Sequence, residues 1–244
     1  MNKIGLQTYT IRKWIKEDKE DAFKKIKDLG IDHIEACRMT LDQETIDLLK
    51  KYDIKVTSLQ ITFRKLKHQK EKVLHFAKSL KIEYLIISVL PLWARIPIIG
   101  SLRFSNQVNK LLDFYAKEGF TLGFHHHAYE MKNTTYGIRL DHIFQKMNPS
   151  LKLIMDTYWV TLMHQNPLTI YENYHKRIVG IHLRDYGEDK KNTTLGRGSV
   201  PFKALLSKID DKVYLVIEQN TEDPKRAIEE GLRYMEEASE RKSV

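Results

Sequence analysis

The sequence predicts an α/β chain folded as a single (β/α)8 TIM barrel, one domain over residues 1–244. Three observations predict it. Strand-like and helix-like segments alternate eight times, in a length that suits one large α/β domain. Some strand-like segments are apolar almost without interruption, as parallel strands covered on both faces require. Polar residues able to do chemistry directly follow the strands of the second half, where the loops of a barrel build its site.

The elements follow in order. Ile4–Tyr9 is a short apolar run. Lys19–Leu29 has helical spacing and stops at Gly30, a natural glycine after a helix end. Ile31–Glu35 is the second strand, and Leu41–Tyr52 a helix opened by Thr40 or Asp42. Ile54–Ile61 is the third strand, Leu66–Leu80 a helix, and Tyr84–Val89 the fourth strand. The segment Pro91–Phe104, PLWARIPIIGSLRF, breaks regular structure with proline and glycine yet carries large apolar groups. It is read as a lid over the barrel mouth or as a contact of a homo-oligomer, since a solvated loop is more polar. Ser105–Glu118 is a helix followed by Gly119. The second half repeats the rhythm: strands at Thr121–His126, Leu151–Met155, Ile178–Leu183 and Val213–Ile217. Helices fall at Leu140–Met147, Pro167–His175, Pro201–Lys208 and Pro224–Ala238, where Pro201 and Pro224 suit a first helical turn. No linker, low-complexity tract or short-period repeat interrupts the pattern.

Composition narrows the function classes. Hydrophobic residues make up 42% and charged residues 30%, as in a soluble globular protein. No apolar run reaches the roughly 18–20 residues that span a membrane, and the opening MNKIGLQTYTIRKW lacks a signal-peptide apolar region. A cytoplasmic protein is the expectation. The single cysteine, Cys37, excludes an internal disulfide and a cysteine-rich zinc site. No G-x-G-x-x-G or Walker-type motif follows a strand, against dinucleotide and nucleotide binding. The net charge of +9 suggests either nucleic-acid or phosphate binding, or solvated lysines on outer helices. Lysines concentrate in helix-like stretches such as Asp21–Asp28 and Leu66–Lys81, which favours the second, so nucleic acid is not the expected partner.

The chemistry is read from the strand ends. Strand five ends in His125, His126 and His127, with Glu130 close behind. Strand six leads to Asp156, strand seven to His182 and strand eight to Glu218. In a closed barrel these ends converge, giving oxygen and nitrogen donors that suit a divalent metal. Each residue alone reads equally well as a helix cap or a salt-bridge partner. Jointly that explanation weakens, because buried carboxylates without partners are costly. Side chains alternate along a strand, so His125 and His127 share a face and His126 takes the other. His125 is expected inside the barrel and His127 at its rim.

At these residues the sequence resembles the xylose isomerase-like barrel superfamily, the sugar phosphate isomerase/epimerase group, along nearly the whole chain. GLQTYTIR is similar to the G-L-Q-x-Y-[ST]-x-R start of one branch, GFHHHAYE to its G-Y-H-N-H-x-x-E segment and MDTYWV to its D-x-x-W segment. GIHLRDYG is similar to V-H-L-K-D, LGRGSVPF to the G-x-G-x-x-x-[FW] loop, and VIEQN to the closing V-E-Q-D. The set is specific in order and spacing, where any one member is not. The resemblance implies one divalent metal ion (Mn, Mg, Co, Fe or Zn) held by residues of strands five to eight. Asp156, His182 and Glu218 match three of the ligands; the fourth is His125 or Glu130. Trp159 stands where epimerases with a D-x-x-H segment carry histidine, and Glu35 where relatives often place a substrate contact.

The activity implied is a metal-dependent isomerase or epimerase of a sugar or keto-sugar, or a related lyase or dehydratase. The metal polarises a carbonyl and a carboxylate removes the neighbouring proton. Glu130 and Glu218 are the candidate bases. These reactions share a metal-stabilised enediolate or enolate, so the ligands do not choose among them. Glu35, His127, Trp159, Arg184 and Arg197 are the candidate substrate contacts, the two arginines for hydroxyls or an anionic group. Trp159 and Trp93 read either as sugar-stacking rings or as core. No phosphate-binding motif is evident, so a sugar phosphate is not implied. Two alternatives remain: a non-catalytic sugar-binding barrel, and an apurinic endonuclease-like DNA repair enzyme. The second needs more strand-end metal ligands than Glu35, Gln60 and Ser88 add.

Overall fold

Short β-branched and aliphatic runs form the wall of the barrel. The computed structural model describes residues 4–96 and 98–240. Its barrel strands are β1 (Ile4–Gln7), β2 (His33–Cys37), β3 (Lys55–Ile61), β4 (Tyr84–Ile87), β5 (Thr121–His125), β6 (Lys152–Asp156), β7 (Ile178–Leu183) and β8 (Tyr214–Ile217). Among the described residues these eight close in sequence order, β8 pairing back onto β1, and every pairing is parallel. This is the (β/α)8 barrel the alternation predicts.

Helices cover the outside: α1 (Arg12–Glu17), α2 (Lys19–Asp28), α3 (Gln43–Lys51), α4 (Phe63–His68), α5 (Lys70–Ser79), α6 (Ile99–Lys117), α7 (Arg139–Phe144), α8 (Thr157–Leu162), α9 (Pro167–Tyr174), α10 (Phe202–Leu206) and α11 (Pro224–Glu240). Asp42 caps α3 by accepting from the Thr45 amide at 2.9 Å, one of the two candidates for that start. Gly30 and Gly119 stand just past their helices at φ +79° and +86°, the left-handed region glycine enters at no steric cost. Among the described residues no helix is long and apolar enough to cross a membrane.

Three elements differ from expectation. The helix expected over 66–80 is two helices with Gln69 between them. The Leu66 carbonyl accepts from the Tyr115 hydroxyl at 2.8 Å rather than from an amide one turn on, and the helix stops there. The apolar segment 91–104 is more regular than its proline and glycine suggest. A 3-10 turn covers Leu92–Arg95 and α6 already starts at Ile99, while Pro97 lies outside the described residues. Trp93 packs against Phe63 and Phe104 beneath this segment, whereas Leu92, Ile98 and Ile99 are exposed. Strand two runs to Cys37, not Glu35, because the Thr8 amide bonds the Glu35 carbonyl and Thr8 Oγ1 accepts the Cys37 amide at 2.8 Å. Glu35 therefore sits mid-strand, below the mouth.

Much of the core lies between wall and helices, but the barrel interior also carries a polar layer. Glu35 and Ser58 are buried there, with the Tyr214 hydroxyl reaching them. The Tyr214 ring lies over Gly180, so a Cβ at position 180 would come within 2.3 Å of a ring carbon. Gly180→Ala is expected to cost about 1–3 kcal/mol by overpacking. A chemical denaturation midpoint equal to that of the unaltered protein would refute this account of the layer.

Candidate active site

The C-terminal ends of β5 to β8 bring four side chains together. In register, Asp156 pairs with His182, and the Glu218 amide donates to the Leu183 carbonyl at 3.3 Å. His125, Asp156, His182 and Glu218 each offer one ligand atom, all within 4.8 Å of one another, and all four are buried. His125 Nε2 lies 3.1 Å from His182 Nδ1 and 3.7 Å from Asp156 Oδ2. His182 Nδ1 lies 2.7 Å from Glu218 Oε2 and 4.0 Å from Asp156 Oδ2. Ligands around one ion at about 2.0–2.2 Å sit roughly 3–4.4 Å apart. Two imidazole nitrogens and two carboxylates gathered within 4.8 Å of one another form a group that could hold a single divalent ion after small adjustments of the side chains.

The surroundings fix these atoms. Glu35, fully buried, accepts from Gln60 at 2.8 Å, Ser58 at 2.6 Å and Tyr214 at 2.9 Å, and its Oε1 lies 2.6 Å from His182 Nε2. This carboxylate beneath the imidazole points Nδ1 into the cluster, a common arrangement behind metal-binding histidines. Burial alone would lower the His182 pKa, but Glu35 and Glu218 raise it to about 10. Burial would raise the Asp156 pKa, but Arg184 and then His125 hold it well below the carboxylate range. Arg184 Nη1 is 3.0 Å from Asp156 Oδ2 and 3.2 Å from Glu218 Oε1, linking the two acids. Asp156 also caps α8, accepting from the Tyr158 and Trp159 amides at 2.9 and 3.1 Å.

The three consecutive histidines divide as strand alternation requires. His125 points into the cluster. His126 faces away and accepts the Asp156 amide at 3.0 Å, and burial pushes its pKa down to about 3. His127 is half-buried beside His125 and Trp159, with ring centroids 4.7 and 5.6 Å away. Burial and then the neighbouring His125 lower its pKa to about 3, so it is neutral.

A cavity of about 670 Å³ opens above the cluster, a volume suited to a small-molecule site. His125, Glu218, Arg184, His127 and Trp159 line it. Three predicted residues lie elsewhere. Glu130 is buried outside the lining, its Oε2 accepting the His127 amide at 2.7 Å, so it braces the turn after β5 and does not join the four. Glu35 lies beneath the cluster for the reason given above. Arg197 is exposed and pairs with Glu230 at 3.2 Å. Its loop is tied down by Asp185, whose carboxylate accepts the amides of Gly196, Gly198 and Val200 at 2.9, 2.9 and 3.1 Å. A Cβ at Gly198 would strike that carboxylate, which accounts for the second glycine of LGRG.

Sequence reasoning missed two sets of residues. Tyr214, the first residue of β8, and Ser58, in the middle of β3, support Glu35, and neither stands at the strand ends where site residues are expected. Arg38, after β2, and Lys65, on α4, line the cavity, but nothing distinguishes them among 41 lysines and arginines.

Comparison with known proteins shows the family and the shared fold. The xylose isomerase-like TIM barrel family matches residues 23–238. Inosose dehydratase of Lacticaseibacillus casei is 26% identical over 146 residues, 51% of this chain and 48% of that protein. The match thus spans about half the length of that curated relative. A sugar phosphate isomerase/epimerase of Parabacteroides distasonis superposes with a TM-score of 0.79 at 17% identity, covering 96% of this chain and 98% of that one. D-allulose 3-epimerase of Methylomonas sp., solved in complex with D-allulose, gives 0.74 at 16% identity over 97% of each chain. At such identities the structural likeness concerns the fold.

Proposed function

The chain belongs to the xylose isomerase-like TIM barrel family, and from that premise we propose that it is a metal-dependent enzyme that isomerises, epimerises or dehydrates a sugar or keto-sugar. The observation that carries this reading is the group of four buried donors from consecutive strands beneath a cavity of about 670 Å³. His125, Asp156, His182 and Glu218 would hold one divalent ion of Mn, Mg, Co, Fe or Zn. When bound, the ion supplies a Lewis acid that polarises a carbonyl and the hydroxyl beside it, acidifying the intervening C–H bond.

The side chains around it have distinct tasks. Of the two candidate bases, Glu218 lines the cavity and Glu130 does not. Burial would raise the Glu218 pKa, but Arg184 and then His182 hold it low, so it stays ionised and accepts a proton at a carboxylate oxygen. A low pKa makes it a weak base, and the driving force must come from the acidified C–H bond. His127, neutral at the rim, offers its ring nitrogens to a substrate hydroxyl. Trp159 offers an apolar face to the carbon side of a sugar ring. Arg184 keeps the two acids apart from one another's charge and presents its remaining donors to substrate oxygen.

Metal analysis of the purified, dialysed protein tests this reading, together with proton exchange between ketoses and D2O followed by NMR. About one divalent ion per chain and metal-dependent exchange are expected, with one ion in a four-ligand site as the guide. No retained metal, and no rise in Tm with added Mn²⁺, Co²⁺, Mg²⁺ or Zn²⁺, would overturn it in favour of a non-catalytic barrel. Close to three zinc ions per chain would overturn it in favour of a DNA repair enzyme.

A further inference from the structure

The charges around the cavity are unevenly distributed. Four cations line it, Arg38, Lys65, Arg184 and Lys191, against one acid, Glu218. Arg184 is engaged with Asp156 and Glu218, and Lys191 lies 3.5 Å from Asp189. Arg38 and Lys65 have no carboxylate partner among the described residues.

Arg38 is also held in place. It follows β2 directly in the left-handed region, φ +55°, which few residues other than glycine adopt. Its guanidinium lies 4.9 Å from the ring centroid of Tyr9, itself a lining residue. Lys65 follows β3 on α4, whose N-cap, Thr62, also lines the cavity. The two cations thus come from the β2–β3 side of the mouth, whereas the four clustered donors come from the β5–β8 side. Gln60, on β3 and 3.5 Å from His182 Nε2, also lines the cavity. A substrate spanning the cavity would have its reacting carbons at the cluster and its far end beside Arg38 and Lys65.

We infer that the substrate carries an anionic group at the end remote from the reacting carbons, recognised by Arg38 and Lys65. This rests on the carbohydrate reading above and makes it narrower: a sugar acid or a sugar phosphate in place of a neutral sugar. Two unpaired cations cost little while solvated at the rim, and an anion would give them hydrogen bonds charged on both sides, stronger than those from a neutral hydroxyl. They would also steer an anionic substrate to the mouth, with a dependence on ionic strength that a neutral sugar would not show.

Three ketoses that differ only at carbon six test the inference: D-fructose, D-fructuronate and D-fructose 6-phosphate. Their binding to the Mn²⁺-loaded protein is measured by calorimetry at low and high salt, for the unaltered chain, Arg38→Gln and Lys65→Gln. Both positions are exposed, so the variants should keep the Tm of the unaltered protein. At low salt, at least one anionic ketose is expected to bind about tenfold or more tightly than D-fructose, the size of a charge-assisted contact. That preference should shrink in each variant and at high salt. Preference for the carboxylate identifies a sugar acid, and preference for the phosphate a sugar phosphate. Equal binding of all three ketoses would overturn the inference while leaving the sugar site intact, as would an anion preference unchanged in both variants. Binding of none would overturn the carbohydrate reading together with the inference.

Discussion

Asp156→Asn is expected to lose the bound divalent ion, with metal affinity falling about 100-fold or more, and to abolish substrate proton exchange. Outer groups around a metal site already cost 10–100-fold when removed, and Asp156 is placed to bind directly. It is fully buried and carries one of the two negative charges in the group of four. Removing that charge leaves Arg184 and the incoming ion repelling each other across Glu218 alone. The substitution is also selective. Asn serves as well as Asp at a helix N-cap, so the bonds to the Tyr158 and Trp159 amides can persist and α8 with them. Asp156→Ala should lose the metal and be less stable than Asp156→Asn by about 1 kcal/mol, from the lost cap. Metal analysis beside circular dichroism separates the two effects. An Asn variant that keeps a full equivalent of metal would show that this carboxylate is not a ligand.

Why Asp156, His182 and Glu218 were legible in the sequence, and Glu35 was not correctly placed, follows from strand geometry. Each of the three comes directly at or beyond the end of an apolar run, where a parallel barrel directs polar groups toward its mouth. Period-two alternation was enough to separate the role of His125, in the cluster, from that of His126, which accepts the Asp156 amide. The end of strand two depends on Thr8, which bridges to Cys37 from the neighbouring strand. Such a contact spans 29 residues and leaves no periodic mark. Glu130 failed to join the cluster for a related reason. Its position in the loop is set by hydrogen bonds to His127 and from the Leu140 amide, and loop geometry is poorly encoded by residue type. The start of α6 was hidden because Gly100 and the prolines before it read as breakers, although Gly100 is packed so closely that a Cβ would meet the Trp93 carbonyl.

Glu35 is the position from which stability and the site's charge state are controlled together, and Glu35→Gln is expected to cost about 3–5 kcal/mol, the penalty of breaking a buried ion pair. The metal-stripped protein should also show a particular pH profile. Burial alone would raise the Glu35 pKa, yet the charge and hydrogen bond of His182 hold it below the ordinary glutamate value of 4.5. His182, in turn, is raised from 6.5 to about 10. A carboxylate with a depressed pKa contributes stability above its unfolded value and loses it as pH falls. A histidine with a raised pKa contributes fully below its unfolded value and loses that contribution as pH rises toward the folded one. The pair is therefore most stabilising between about pH 4.5 and 6.5, and its contribution declines from pH 6.5 toward 10. Urea unfolding of the stripped protein at pH 6 and pH 9 should show this alkaline loss in the unaltered chain. In Glu35→Gln the loss should be smaller, because only Glu218 still holds the proton on His182. Parallel profiles for the two proteins would mean that Glu35 does not set the charge of His182. A flatter profile would mean that the same buried carboxylate stabilises the barrel interior and sets the protonation of an imidazole that a metal would need in its neutral form.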